Sequence, residues 1–247
     1  MRWIELYKKY RFGMIVPSPN VVIEPEFYSL GLEEAGFYSS RVLHTTCTPE
    51  KLKEMGNLVQ RAVLELSTAK VNAILYACTS GSLINGLEWE KNLTQELSKS
   101  SGIPVITTFG SVKEALQFMN ISKIHMFTPY IDEINNKEKH MLEKSGIEVL
   151  MVEGLNITNS VEIAEVEPEF ILNEAVKLYR QNSEAQAIFL SCTNLRTFSI
   201  IDQLEKQTGI PVITSNQASL WGLLRLMKIE KSITGIGKLF NHDNKSL

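Results

Sequence analysis

One short unit occurs twice in this chain, and it sets most of what the chain can fold into. In the first half, VNAILYACTSGSLI (71–84) is an apolar run that ends at Cys78 and passes at once into Thr79, Ser80, Gly81 and Ser82. In the second half, AQAIFLSCTNLRT (185–197) ends its apolar run at Cys192 and passes into Thr193 and Asn194. The same phrase lies downstream of each: GIPVITT at 102–108 and GIPVITS at 209–215. A short apolar run bounded by small polar residues reads as a buried strand followed by a turn rich in hydrogen-bond donors. Agreement in residue type, order and flanking phrase points to a duplicated half-domain that brings two cysteines to corresponding strand ends. A second pairing agrees with this. FGMIV followed by PSPN (12–20) and KIHMFT followed by Pro129-Tyr130 (123–130) are both strands that run into proline turns, and each opens one half.

Between these landmarks strands and helices alternate. Apolar residues at helical spacing predict one helix over 49–67, with Thr48 as its N-cap and Glu50 in its first turn. Further helices are expected at 88–100, 111–120, 131–144, 168–181 (with Pro168 in its first turn), 200–208 and 217–227, and a strand at 148–155. The stretch up to Thr46 has no clear pattern, 156–167 reads as a polar loop long enough to cover a site, and the tail from Lys231 reads as partly ordered. Near-continuous apolar strands alternating with helices imply parallel sheets covered by helices. The expected fold is therefore α/β, with two similar, pseudo-symmetric lobes, each a mostly parallel sheet flanked by helices. The first lobe is expected at 1–110, with 216–247 returning to it, and the second at 111–215. Ligands of open α/β sheets sit at the carboxyl ends of the strands. Asn20, Cys78, Tyr130 and Cys192 all fall at such ends, so a cleft between the lobes would collect them.

Composition excludes several partners. A net charge of −3 argues against nucleic acid or an anionic membrane surface, both of which need a basic face. No run approaches the roughly 20 apolar residues that span a bilayer, and MRWIELYKKYRF lacks the apolar core of a signal peptide. Three cysteines, an odd number in 247 residues, suggest free thiols in a reducing, cytoplasmic compartment.

Two thiols across one cleft suggest chemistry. A thiolate is a good nucleophile and a usable base when nearby donors lower its pKa. The hydroxyls and N–H groups after each cysteine could do this, and could equally bind a carboxylate or a developing enolate oxygen. A pair on opposite faces of a substrate suits two-base racemisation. It also suits cis–trans isomerisation, in which one thiolate adds to an activated alkene, the new single bond rotates and elimination follows. Neither route uses a cofactor, and no dinucleotide fingerprint, metal-ligand cluster or lysine motif suggests one. Gly235–Lys238 is too short and wrongly placed for a phosphate loop. Other readings compete. A cysteine after an apolar strand is often only a small buried hydrophobe; the repeat favours function for Cys78 and Cys192, whereas Cys47 has no repeat partner and reads as structural. Asn20 also fits a turn residue and Tyr130 a core aromatic. The four histidines form no ligand spacing, and the charged helix 133–144 reads as solvated surface.

The ordered set GMIVPSPNVVIEPE, YACTSGS, FTPYIDEIN, GLNITNSVEIA, SCTNLRT and GIPVITSNQA resembles the aspartate/glutamate racemase superfamily, and within it the maleate cis–trans isomerase and arylmalonate decarboxylase branch. The resemblance spans nearly the whole chain. It implies two similar lobes around an active site, cofactor-independent chemistry beside a carboxylate, and a homo-oligomer, dimer or tetramer. It implies that Cys78 is the nucleophile and Cys192 the second cysteine, that Asn20 and Tyr130 bind substrate carboxylate, and that Thr79 and Ser80 hold a carboxylate or enediolate. The decarboxylases of the branch carry glycine where Cys78 stands, so two thiols favour isomerase or racemase chemistry. The isomerase loop usually offers Asp-Asn where this chain has Asn159-Ser160, which leaves Asn159 or Ser160 as the loop ligand. With Thr193 and Asn194, these form the candidate substrate shell. The leading expectation is a cofactor-independent isomerase of a small dicarboxylate of maleate type. A racemase of an amino acid or related carbon acid, a decarboxylase and a non-catalytic small-acid binder follow it.

Overall fold

The strands are short, apolar and all parallel. In the computed structural model, which describes residues 8–241, β1 (Tyr10–Pro17), β2 (Ala35–Val42), β3 (Ala73–Tyr76) and β4 (Val105–Thr107) form one sheet in the order β2-β1-β3-β4. The second sheet, β5 (Lys123–Thr128), β6 (Glu148–Gly154), β7 (Ala187–Leu190) and β8 (Val212–Thr214), repeats that order as β6-β5-β7-β8. Matching registers pair Phe12 with Ala73 and Ile15 with Tyr76 in one sheet, and Ile124 with Ala187 and Phe127 with Leu190 in the other. Every residue of β3 and β7 is buried, as parallel strands covered on both faces require. The predicted pair of α/β lobes is what the chain forms. The first residues, MRWIELY, and the end of the tail, 242–247, lie outside the described residues.

The repeated GIPVIT phrase has a physical meaning. Its glycine ends a helix: Gly102 (φ +70°) caps α5 (Leu87–Ser101), and Gly209 (φ +78°) caps α10 (Ile201–Thr208). Glycine takes this left-handed conformation without steric cost. The proline that follows cannot continue a helix, and the β-branched VIT becomes β4 or β8. The final threonine then starts the next helix. Thr107 Oγ1 accepts from Gly110 N at 2.9 Å to cap α6 (Thr108–Phe118), and Thr214 Oγ1 accepts from Gln217 N at 3.1 Å to cap α11 (Ser215–Leu226). Each such cap is worth about 1 kcal/mol. Helices α6 and α11 pack against each other; α11 also lies on β3, β4 and β8, and α6 on β4 and β8, so the pair joins the two sheets.

Several local expectations differ from the structure. The helix predicted over 49–67 is two helices, α2 (Pro49–Gly56) and α3 (Val59–Thr68), because Gly56-Asn57 is a poor helical pair and tight turns at Asn57 and Leu58 close the first one. Thr48 precedes α2 without a side-chain cap. The unassigned stretch before Thr46 contains β2, an edge strand whose solvent face breaks up the apolar pattern. VVIEPEFYS contains α1 (Ile23–Ser29), and the polar loop contains α8 (Ser160–Glu165). The turn after Cys78 is a short helix, α4 (Thr79–Leu83). The tail ends in α12 (Lys238–Asn241), with Leu239 and Phe240 buried. The remaining helices, α7 (Asp132–Lys144) and α9 (Pro168–Gln181), lie where they were expected. Among the described residues, no helix is long and apolar enough to cross a membrane.

Candidate active site

The carboxyl ends of β1, β3, β5 and β7 meet where the lobes face each other. Asn20, Cys78, Ser80, Tyr130, Ser160, Cys192, Thr193 and Asn194 all line one small cavity there, of about 30 Å³. Two larger hollows, of about 470 and 890 Å³, lie around Trp221 and Lys113 and contain no cysteine.

The two cysteine turns are built differently. Cys78 precedes α4 in extended backbone, and its Sγ accepts from Gly81 N at 3.3 Å, with Ser80 Oγ at 3.9 Å. Cys192 is followed by an irregular turn, and its Sγ accepts from Asn194 N at 3.4 Å and from the Tyr130 hydroxyl. Burial pushes the Cys78 thiol up to about 11, against the opposing pull of Gly81 N–H and the Ser80 hydroxyl. Burial likewise pushes Cys192 up to about 12, with Asn194 N–H and Tyr130 opposing. Both thiols are therefore protonated at neutral pH.

The remaining candidates divide into cavity walls and struts. Asn20 Nδ2 donates to Thr193 Oγ1 at 3.0 Å, while its Oδ1 accepts from Val22 N and Ile23 N at the start of α1. Thr193 Oγ1 donates to Ala77 O at 3.1 Å. Asn194 Oδ1 accepts from Val21 N at 3.0 Å, and its Nδ2 donates to Ser160 O at 2.7 Å. The Asn20–Thr193, Thr193–Ala77 and Val21–Asn194 bonds tie the turns of one lobe to the other. Ser160 is buried, and its Oγ has no partner among the described residues. Asn159 lies outside the cavity: it is exposed, caps α8 through Val161 N at 3.1 Å, and donates to Glu162 at 2.8 Å. Thr79 does not line the cavity either; its hydroxyl is turned to Ser215 Oγ at 2.8 Å.

Four residues with no assigned role in the sequence reading belong to this region. Cys47, read there as structural, lines the cavity, and its thiol is pushed well up by burial. His44 also lines it, with its Nδ1 buried and unpartnered and its pKa lowered by burial, so the ring is neutral. The spacing of neither residue carried a signal, because β2 and the loop after it were not recognised. Glu138 sits on the helix read as solvated surface, yet it is fully buried. Its Oε1 accepts from Ser191 Oγ at 2.8 Å, and burial pushes it up to about 8. Ser215, the last residue of the second GIPVITS, accepts from Cys192 N at 3.0 Å.

The segments 44–47 and 156–160 meet beside the cavity: Cys47 N donates to Thr158 O at 2.8 Å, and Thr46 bridges Asn159. A buried water needs about 10–15 Å³, so the cavity holds about two waters.

The family model for arylmalonate decarboxylase matches residues 12–240, almost the whole described chain. The chain belongs to the arylmalonate decarboxylase family. Among curated members, a maleate isomerase of Pseudomonas putida is 28% identical over 244 residues, covering 94% of this chain and 97% of that protein. An arylmalonate decarboxylase of Bordetella bronchiseptica is 25% identical over 230 residues, covering 93% and 95%. Among solved structures, a cysteine-to-serine mutant of the Nocardia farcinica maleate cis–trans isomerase, with a covalently bound succinylcysteine intermediate, superposes with a TM-score of 0.88 at 25% identity, covering 95% of this chain and 99% of that one. The resemblance drawn from the ordered motifs is thus borne out for this family, and so is the two-lobed parallel α/β fold that it implied.

Proposed function

We propose that this family member is a cofactor-independent isomerase of a small unsaturated dicarboxylate, of the maleate cis–trans type. The carrying observation is the delivery of two thiols, by duplicated strand ends, into one cavity walled by neutral hydrogen-bond donors. The Cys78 thiolate adds to one alkene carbon while the Cys192 thiol gives its proton to the other, so the double bond becomes a succinyl thioether. The central single bond rotates. The Cys192 thiolate removes the proton it gave, the C–S bond breaks, and the trans alkene leaves with Cys78 again a thiolate. Atoms and electrons balance, and nothing is oxidised. Gly81 N–H and the Ser80 hydroxyl stabilise the Cys78 thiolate, and the Tyr130 hydroxyl and Asn194 N–H stabilise that of Cys192. Asn20, Tyr130, Ser160, Thr193 and Asn194 offer the carboxylate donors. The succinylcysteine in the Nocardia relative supports this route, because it is the adduct such an addition forms. A racemase of amino acids needs an anionic partner for the ammonium group. Among the described residues no acidic side chain lines the cavity, which supports the isomerase.

The wider organisation follows the same reading. Among the described residues, 8–110 with the segment from 216 returning make the first lobe and 111–215 the second; the two four-stranded sheets, β1–β4 and β5–β8, support this division, and α11 packs on both. Three free cysteines support a reducing, cytoplasmic setting. The exposed apolar residues Tyr28, Tyr38 and Leu43 at the β2 edge support association into a homo-oligomer.

Proton NMR in D2O tests the reaction. Wild-type protein should convert maleate to fumarate, and Cys78→Ala and Cys192→Ala should each lose on the order of 10³-fold in turnover. Wild-type turnover in both variants would overturn the mechanism. Deuterium entering the α-carbon of aspartate or glutamate, with maleate untouched, would replace it with racemisation.

A further inference from the structure

The duplication is close in sequence and unequal in backbone. Cys78 has φ −149°, ordinary extended geometry. Cys192, its counterpart, has φ +141°, a conformation that residues with a Cβ rarely adopt and that persists only where the surroundings enforce it. The enforcing contact is visible. Cys192 N–H donates to Ser215 Oγ at 3.0 Å, and that same hydroxyl is bonded to Thr79 Oγ1, in the turn after Cys78, at 2.8 Å. Ser215 is fully buried, so no water replaces it. The repeat supplies its own control. The position matching Ser215 is Thr108, and its hydroxyl does not reach the first cysteine. Instead, Thr108 Oγ1 donates to Tyr76 O at 3.4 Å and accepts from Ser219 Oγ at 2.9 Å, while Cys78 N–H goes to Tyr76 O at 3.0 Å.

We propose that Ser215 is a positioning residue for the second thiol: one hydroxyl, tied to the Cys78 turn through Thr79, holds Cys192 in its left-handed backbone and thereby aims its sulfur into the cavity. The two cysteines acquire different roles because their backbones differ, and the backbones differ because only one GIPVIT copy is followed by a residue that reaches its cysteine's amide. For its turnover readout the proposal rests on the isomerase reading; its other readouts do not. Losing the hydroxyl leaves the Cys192 amide buried without an acceptor and frees the turn to relax toward negative φ. Proton delivery to the adduct then suffers, whereas substrate binding, made by other groups, does not.

The test uses Ser215→Ala and Ser215→Thr in the full chain, together with two variants at the cysteine itself. With maleate, Ser215→Ala should lower kcat on the order of 10- to 100-fold with KM within about twofold, and Ser215→Thr, which keeps the hydroxyl, should recover most of kcat. Alkylation of Cys192 by iodoacetamide, followed across pH in a Cys47→Ser/Cys78→Ser background, should shift its pH profile with Ser215→Ala and keep it with Ser215→Thr. Thermal unfolding should place Cys192→Gly at or above Cys192→Ala, reversing the usual order, because glycine alone takes φ +141° without strain. An unchanged alkylation profile in Ser215→Ala, or a Cys192→Ala protein clearly more stable than Cys192→Gly, overturns the proposal. No conversion of maleate by any variant, wild type included, overturns the isomerase reading instead, and the alkylation and thermal results then still decide the role of Ser215.

Discussion

Replacing Glu138 with glutamine should abolish much of the stability loss that this protein undergoes as pH rises. Glu138 has no solvent exposure, its Oε1 accepts from Ser191, and its Oε2 has no partner. Burial therefore pushes its carboxyl from 4.5 up to about 8. In the unfolded chain the group ionises near 4.5, while in the folded protein it keeps its proton until about 8. Between those values the folded state binds the extra proton, so stability is complete below about 4.5, falls as pH rises and is fully lost above about 8. A pKa difference of one is about 1.4 kcal/mol, so the loss across that whole window is about 5 kcal/mol, of which about 4 kcal/mol falls between pH 5 and 8.5. Glutamine copies the protonated acid, keeps the acceptor for Ser191 and cannot ionise. Glu26, which burial pushes up to about 7, contributes a slope of the same sign, and neutral His44 one of the opposite sign. Both remain in the variant, so the difference between the two proteins isolates Glu138. Urea unfolding followed by circular dichroism at pH 5, 7 and 8.5 measures it. Wild-type protein should lose about 4 kcal/mol more than Glu138→Gln between the extremes. Parallel pH dependences would show that Glu138 is not a buried neutral acid.

The cavity wall can be tested with small changes. Ser160→Ala removes a buried hydroxyl that has no protein partner and should raise KM for the dicarboxylate about tenfold, the effect of one lost hydrogen bond; an unchanged KM would remove Ser160 from the substrate shell. Asn159→Ala removes the α8 cap and an exposed bond to Glu162, so it should cost about 1 kcal/mol in thermal unfolding and leave turnover within about twofold. Cys47→Ala trims a small apolar wall and should keep turnover within about threefold; a loss on the scale of Cys78→Ala would make Cys47 a third working thiol.

What could be read from the sequence followed from the chain's local rules. Short apolar runs are short-range signals, so those before Cys78 and Cys192 located the central strands and the repeated GIPVIT marked one further strand in each half, whereas α6 and α11 start at Thr108 and Ser215, earlier than the expected 111 and 217. The topological rule for parallel sheets then collected Asn20, Tyr130 and both cysteines at one end. Residues whose role depends on distant contacts gave no such signal. Asn159 and Ser160 are neighbours of equal polarity, and only the start of α8 between them turns one outward to Glu162 and the other into the cavity. Glu138 carries a charge among charges on its helix, and nothing local tells it from Glu133, which meets Lys137 in solvent. His44 and Cys47 follow an edge strand whose exposed face hides its period.

The same division explains why a repeat can make an asymmetric site. Duplication copies short-range instructions, so both halves build a strand, a cysteine and a hydroxyl-rich turn. It does not copy what each turn meets, because each lobe faces the other and not itself. Thr79 meets Ser215, whereas Thr193 meets Asn20 and Ala77. Cys78 therefore keeps relaxed backbone and a thiol set against Gly81 N–H, suited to holding negative charge. Cys192 takes a strained backbone, with its amide held by Ser215 and its thiol set against Asn194 N–H. In the isomerase proposed above the two sulfurs do different work, one adding to carbon and one carrying a proton, and two unequal turns are the geometry that can separate those tasks.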